Sequence, residues 1–157
     1  MRKALTIVAM GTMFVAVFAG VAFAAVKYGT NGPDNLQGTG SGDTLYGYGA
    51  DDRLAGGAGD DLLKGGSGND DPSFYVGPMV KGLYGGPGNG AVYGGDGNDL
   101  LVGGSGGDLL SGGPGNDQLG DPGPGAYDEI FCGEGRDFVE ASRIDYVAPD
   151  CETVRRY

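Results

Sequence analysis

The chain has 157 residues, 36 of them glycine, with 10 Lys and Arg against 21 Asp and Glu, a net charge of −11, and neither histidine nor tryptophan. Such a balance repels nucleic acid and anionic lipid, and without histidine neither a His-Glu-x-x-His zinc site nor a Ser/His/Asp triad can be assembled. By composition alone the glycine-rich remainder reads as disordered; its periodicity says otherwise.

In chain order, the first segment is Met1-Arg2-Lys3 followed by an uncharged run over residues 4–23 and the small-x-small triplet Ala22-Phe23-Ala24. Residues 1–24 are expected to be a cleaved secretory signal, with an uncleaved membrane anchor as the alternative. Cleavage would take Arg2 and Lys3 and no acid, leaving 8 basic against 21 acidic side chains, a charge of −13. No membrane or nucleic-acid partner is expected of that remainder.

From Gly29 onward a nonapeptide recurs, with glycine at positions 1, 2 and 4, aspartate at 6 and an aliphatic at 8. Units start at Gly29, Gly38, Gly47, Gly56 and Gly65, then at Gly85, Gly94, Gly103 and Gly112, with looser units at Gly123 and Cys132. Position 8 reads Leu36, Leu45, Leu54, Leu63, Leu101, Leu110, Leu119, Ile130 and Val139. One aliphatic per unit suits a short strand pointing a single side chain inward. The glycine-rich remainder cannot be helix, at about 1 kcal/mol per glycine, and reads as a tight loop using positive φ. Two loops and two strands would close a turn of about 18 residues, and turns would stack by strand pairing about 4.8 Å apart. The expected fold is all-β, a right-handed parallel β-roll (a β-solenoid) of about seven turns at most, over residues 25–140.

Between 71 and 84 the frame fails. Pro72 stands where an inward aliphatic is due, Phe74-Tyr75 are extra, and Gly82 and Gly90 stand where aspartates are due, while Leu83 and Val92 still fill position 8. Either the coil continues there, distorted and empty of metal, or it splits into two short arrays.

Stacking would bring together Asp34/Asp52, Asp52/Asp70 and Asp43/Asp61, then Asp99/Asp117, and more loosely Asp108/Asp128 and Asp117/Asp137. At about 5 Å and an effective dielectric near 20, each carboxylate pair would repel by about 3 kcal/mol. A cation must offset that. The donors available are carboxylates and loop carbonyls, those of Gly57, Gly59, Gly95, Gly97, Gly104, Gly106, Gly113 and Gly115 among them. An all-oxygen, flexible cage favours several calcium ions, with magnesium second and zinc, copper or iron disfavoured.

The pattern over residues 29–70 and 85–140 resembles the repeat-in-toxin (RTX), or haemolysin-type calcium-binding, repeat. The resemblance implies a β-roll with calcium between loops of adjacent turns, bound by the position-6 aspartates and loop carbonyls. It also implies a chain largely unfolded without calcium. Many such proteins leave the cell through a C-terminal signal, whereas this chain is expected to use an N-terminal one.

Cys132 and Cys151 lie 19 residues apart, almost one turn, and are expected to form a disulfide across stacked loops. Asp145-Tyr146-Val147 and Glu152-Thr153-Val154 keep a polar-x-aliphatic signature without the glycines, so residues 141–157 read as a disulfide-linked cap. The functional expectation is a secreted, non-enzymatic calcium-binding protein whose folding calcium drives. The alternative is extracellular adhesion or surface binding to glycan or ice. Position 5 looks too irregular for an ice-matching ladder, and Tyr46, Tyr84, Tyr93 and Phe131 recur at position 9.

Overall fold

The computed structural model describes residues 23–70, 82–120 and 126–157. The expected signal segment up to residue 22 lies outside these, as do Pro72, Phe74, Tyr75 and Gly123. All fourteen elements among the described residues are strands. One sheet stacks β1 (Val26–Tyr28), β3 (Thr44–Gly49), β5 (Leu62–Ser67), β7 (Ala91–Asp96), β9 (Leu109–Gly115), β11 (Glu129–Gly135) and β13 (Tyr146–Val147). The other stacks β2 (Asn35–Gln37), β4 (Arg53–Ala55), β6 (Leu83–Pro87), β8 (Leu100–Ser105), β10 (Gln118–Gly120), β12 (Phe138–Ala141) and β14 (Thr153–Arg156). Odd and even strands alternate between sheets and every pairing is parallel. That is a stacked-coil β-solenoid, the β-roll expected from the period.

Register explains the core. Position 8 aligns as Lys27, Leu45, Leu63, Val92, Leu110, Ile130 and Val147 in one sheet. In the other it aligns as Leu36, Leu54, Leu83, Leu101, Leu119, Val139 and Val154. From Leu45 through Val139 these side chains are at most 1 % exposed, each contributing about 1.5–3 kcal/mol. With one such residue per unit, the core is a single file between two sheets.

Both ends of the file are finished. At the start, Lys27 occupies the inward position and its ammonium donates to the Gln37 carbonyl. An inward charge blunts an otherwise open sheet edge. At the far end β13 and β14 close the coil, and the expected Cys132–Cys151 disulfide is present with its Cα atoms 5.2 Å apart.

The irregular middle does not split the coil. Leu83 pairs with Leu54 and Val92 with Leu63, so both sheets run through. Asp70 keeps position 6, because the Asp52 amide donates to its Oδ1 at 2.8 Å. The extra residues therefore enter between positions 6 and 7 of one unit, after Asp70 and before Gly82. Gly82 is opposite Arg53, one place after the aspartate position. The expectation that Gly82 replaces an aspartate is thus corrected, and Leu83 is the residue that aligns with Leu54 at position 8. Gly90 does stand opposite Asp61.

Outside the core, position 9 divides by sheet. Tyr28, Tyr46, Lys64, Tyr93, Ser111 and Phe131 form one ladder, and Tyr84 lies on the opposite sheet. Tyr28 and Tyr46 stack at 5.3 Å with an 8° tilt, and the Lys64 ammonium is 5.8 Å from the ring centres of both Tyr46 and Tyr93. These contacts run along the coil and favour its register.

One loop departs from the consensus. Positions 2 and 4 of the Gly47 unit are Tyr48 and Ala50, at φ of 83° and 71°. A side chain in that region costs about 1–2 kcal/mol, part of which glycine's greater chain entropy would return. Ala50→Gly is therefore expected to gain up to about 1 kcal/mol. Thermal melts at saturating calcium check this, and a lowered Tm would show that Ala50 is not strained.

Candidate metal centre

Alternation along each unit turns positions 6, 8 and 1 inward. The expected ligands Asp43, Asp52, Asp61, Asp70, Asp99, Asp108, Asp117, Asp128 and Asp137 are all buried, at 0–3 % exposure. Asp34 is less covered, at the open end of the coil.

These carboxylates form two rows. In the first, the amide of each aspartate donates to Oδ1 of the aspartate one turn on: Asp34 to Asp52, Asp52 to Asp70, Asp70 to Asp99, Asp99 to Asp117 and Asp117 to Asp137, all at 2.8–2.9 Å. In the second, Asp43 donates to Asp61 and Asp108 to Asp128, each at 2.7 Å. Gly90 interrupts that row, though its amide still donates to Asp108. Every pair expected from the period is present. The pair Asp70/Asp99 is additional and joins the two arrays.

The second oxygen is the informative one. Oδ2 of Asp52, Asp61, Asp70, Asp99, Asp108, Asp117 and Asp137 is buried with no hydrogen-bond partner. At the start of the rows Oδ2 of Asp34 and Asp43 instead accepts the amides of Thr30 and Thr39. An ionised oxygen left so costs more than a lost hydrogen bond. In seven of the units position 1 is a glycine packed against this oxygen. A Cβ on Gly29 would fall 2.7 Å from Asp34 Oδ2 and 2.5 Å from the carbonyl of Gly47 in the next coil. The same two oxygens, one per coil, flank Gly38, Gly47, Gly56, Gly65, Gly94 and Gly112.

Loop carbonyls line the remainder. Those of Gly57, Gly59, Gly95, Gly97, Gly113 and Gly115 face the α-carbons of Gly86, Gly88, Gly113, Gly115, Gly133 and Gly135 one turn on. Gly104 and Gly106 lie in the same files, over the carbonyls of Gly86 and Gly88. Among the described residues no three His, Cys, Asp or Glu side chains converge on one point. An ion here would thus draw on at most two carboxylates, with carbonyls completing an oxygen shell. That donor set fits calcium and offers nothing to zinc.

Burial pushes six of these carboxyl groups up. Asp52, Asp99, Asp108 and Asp117 rise to about 6 and Asp70 to about 7, and Asp61 is raised as well. Desolvation is the largest cause. The amide donated by the preceding coil opposes it, and neighbouring carboxylates such as Asp99 beside Asp70 add to it.

Two features escape the sequence reading. Position 5 forms a second, exposed ladder, in which Asp51, Asn69, Asn98 and Asn116 accept the amides of Asn69, Asn98, Asn116 and Arg136. Asp60 and Asn89 serve likewise on the other edge. The signal was present, since Asp and Asn share the same accepting Oδ1. The rows also extend into the cap: the Asp137 amide donates to Glu152 Oε2 at 2.9 Å and that of Asp128 to Asp145 Oδ1 at 3.4 Å.

No curated protein and no solved structure gives a match to the chain. The RTX calcium-binding nonapeptide repeat does, as four copies over residues 28–63, 46–71 and 84–119. Those segments cover the row aspartates from Asp34 to Asp117, on both sides of the irregular middle. The chain belongs to the RTX calcium-binding nonapeptide repeat family, and its coil is a calcium-binding β-roll.

Proposed function

We propose that this is a secreted calcium-binding protein whose folding is driven by calcium held between stacked Gly/Asp loops. The observation that carries the reading is the file of buried Oδ2 atoms without partners. Hydrophobic burial of one aliphatic per unit does not offset several desolvated, mutually repelling carboxylates. The position-6 aspartates from Asp34 to Asp137 would bind the ions, Asp52, Asp61, Asp70, Asp99, Asp108, Asp117 and Asp137 through Oδ2, with the loop carbonyls around them. Calcium bound this way stabilises the folded state by mass action. The uncharged N-terminal run and the disulfide support export, so 1–24 would be a signal, 25–140 the roll and 141–157 the cap. Outside a cell, affinities of about 10⁻⁴–10⁻³ M suffice. No catalytic role is proposed. Adhesion to glycan has less support, because Tyr28 and Tyr46 turn their ring faces onto each other rather than outward.

The seven hydrogen-bonded aspartate pairs set the expected stoichiometry at about seven ions. Isothermal calorimetry with calcium, alongside circular dichroism, tests the reading. Binding of several ions with a coincident gain of strand signal is expected. No heat and no spectral change up to millimolar calcium would overturn it.

A further inference from the structure

We propose that the cap supplies a cation site of its own, in which Asp137 of the last coil and Glu152 of the tail hold a hard divalent cation such as calcium. The inference rests on the calcium reading above but concerns residues outside the matched repeats. Four observations carry it. Phe138 pairs with Thr153, which sets Glu152 opposite Asp137 although no glycine loop precedes it. Glu152 Oε2 accepts the Asp137 amide at 2.9 Å, the relation that each coil aspartate has to the one before it. The longer glutamate reaches where a cap without the glycine loop could not bring an aspartate.

Asp137 is 2 % exposed, and its Oδ2 has no hydrogen-bond partner. In the preceding coil Asp117 Oδ2 and the Cys132 carbonyl flank the same point over Gly112, so that Oδ2 is directed at the next coil. The loop from Cys132 to Asp137 keeps the same backbone turn, with Gly133 at φ 105° as Gly113 is at 115°, although Cys132 carries at position 1 the Cβ that Gly112 lacks. For Asp137 the next layer is the cap.

Finally, the cap grips this loop at three points. Cys151 is bonded to Cys132, Asp150 Oδ2 accepts the Gly133 amide at 3.1 Å, and Glu152 takes the Asp137 amide. Asp150 is a positioning residue here. The second row ends differently: Asp145 spends Oδ1 on the Asp128 amide and Oδ2 on the Ser142 amide, so its end is satisfied by protein alone. The site belongs to one row only.

The test counts ions on the full, oxidised chain by native mass spectrometry and calorimetry at saturating calcium. Glu152→Gln should keep its circular dichroism and bind one ion fewer than the wild type, while Asp145→Asn should keep the full count. Glu152→Lys, which replaces the ion with an ammonium, should also fold and lose one ion. A folded Glu152→Gln or Glu152→Lys protein with the wild-type count would overturn the cap site and leave the roll's calcium binding intact. A wild type that binds no calcium would overturn the broader reading, and this site with it.

Discussion

With calcium chelated the chain should be unfolded at pH 7.5 and should regain strand structure when acidified to about pH 5. The reason lies in the carboxyl groups that burial raises: about 6 for Asp52, Asp99, Asp108 and Asp117, and about 7 for Asp70, against 3.8 for the exposed acid. A folded-state value above the unfolded one means that the folded chain binds more protons within that window. Stability of the ion-free protein therefore falls as pH rises from about 4 to 7. Above the folded values the penalty is complete; below the unfolded value it is gone. Protons at pH 5 neutralise the rows as calcium does at pH 7.5. In the calcium-loaded protein the sign reverses, because protonation of Oδ2 displaces the ion, so acidification should release calcium. Far-UV circular dichroism and amide NMR in EDTA at both pH values check this, and calcium release can be followed with an indicator dye. Asp70→Asn should move the chelated protein's refolding transition to higher pH, since it removes the largest of the penalties that deprotonation imposes on the folded chain. Well-dispersed amide peaks in EDTA at pH 7.5 would refute the expectation.

The fold and the rows were legible because one residue type answers one physical demand in each unit. An aliphatic at position 8 makes most of the core and aspartate at position 6 makes most of each row, so counting by nine finds both. Counting fails where the chain leaves the coil. Nothing in the string between Asp70 and Gly82 marks which strand resumes. Only the pairing of Leu83 with Leu54 shows that the excursion lies between positions 6 and 7. Extending the frame through it hides the pair Asp70/Asp99, which the structure joins by a 2.8 Å hydrogen bond.

Period also says nothing of what happens at an end. Lys27 breaks the aliphatic pattern, yet it holds the position-8 place and caps the Gln37 carbonyl. Glu152 breaks the aspartate pattern, yet it accepts the Asp137 amide. In both cases a different side chain meets the same positional requirement, and three-dimensional register alone reveals it. The aromatic residues taught the converse. Tyr84 and Tyr93 share position 9 but belong to opposite sheets, because successive units alternate between them.

Gly97→Ala should prevent the roll from forming at calcium concentrations that fold the wild type, whereas Gly120→Ala should behave as wild type. Gly97 holds position 4 of the loop that carries Asp99, at φ 136°. A Cβ there would fall 1.4 Å from the Gly68 carbonyl of the preceding coil, a backbone atom that cannot step aside. The substitution thus adds a left-handed conformational cost of about 1–2 kcal/mol to an overlap relieved only by parting two coils, for a total above about 3 kcal/mol. Parting those coils separates Asp70 from Asp99 and breaks the row where it crosses the irregular middle. Gly120 ends β10 and has open space where its Cβ would be, so the added methyl meets nothing. Calcium titrations followed by circular dichroism should place Gly120→Ala on the wild-type curve and shift Gly97→Ala at least tenfold to higher calcium, or leave it unfolded. Coincident curves for all three would mean that the loops are not in contact. The close stacking that brings carboxylates and carbonyls of successive coils around one ion would then be wrong as well.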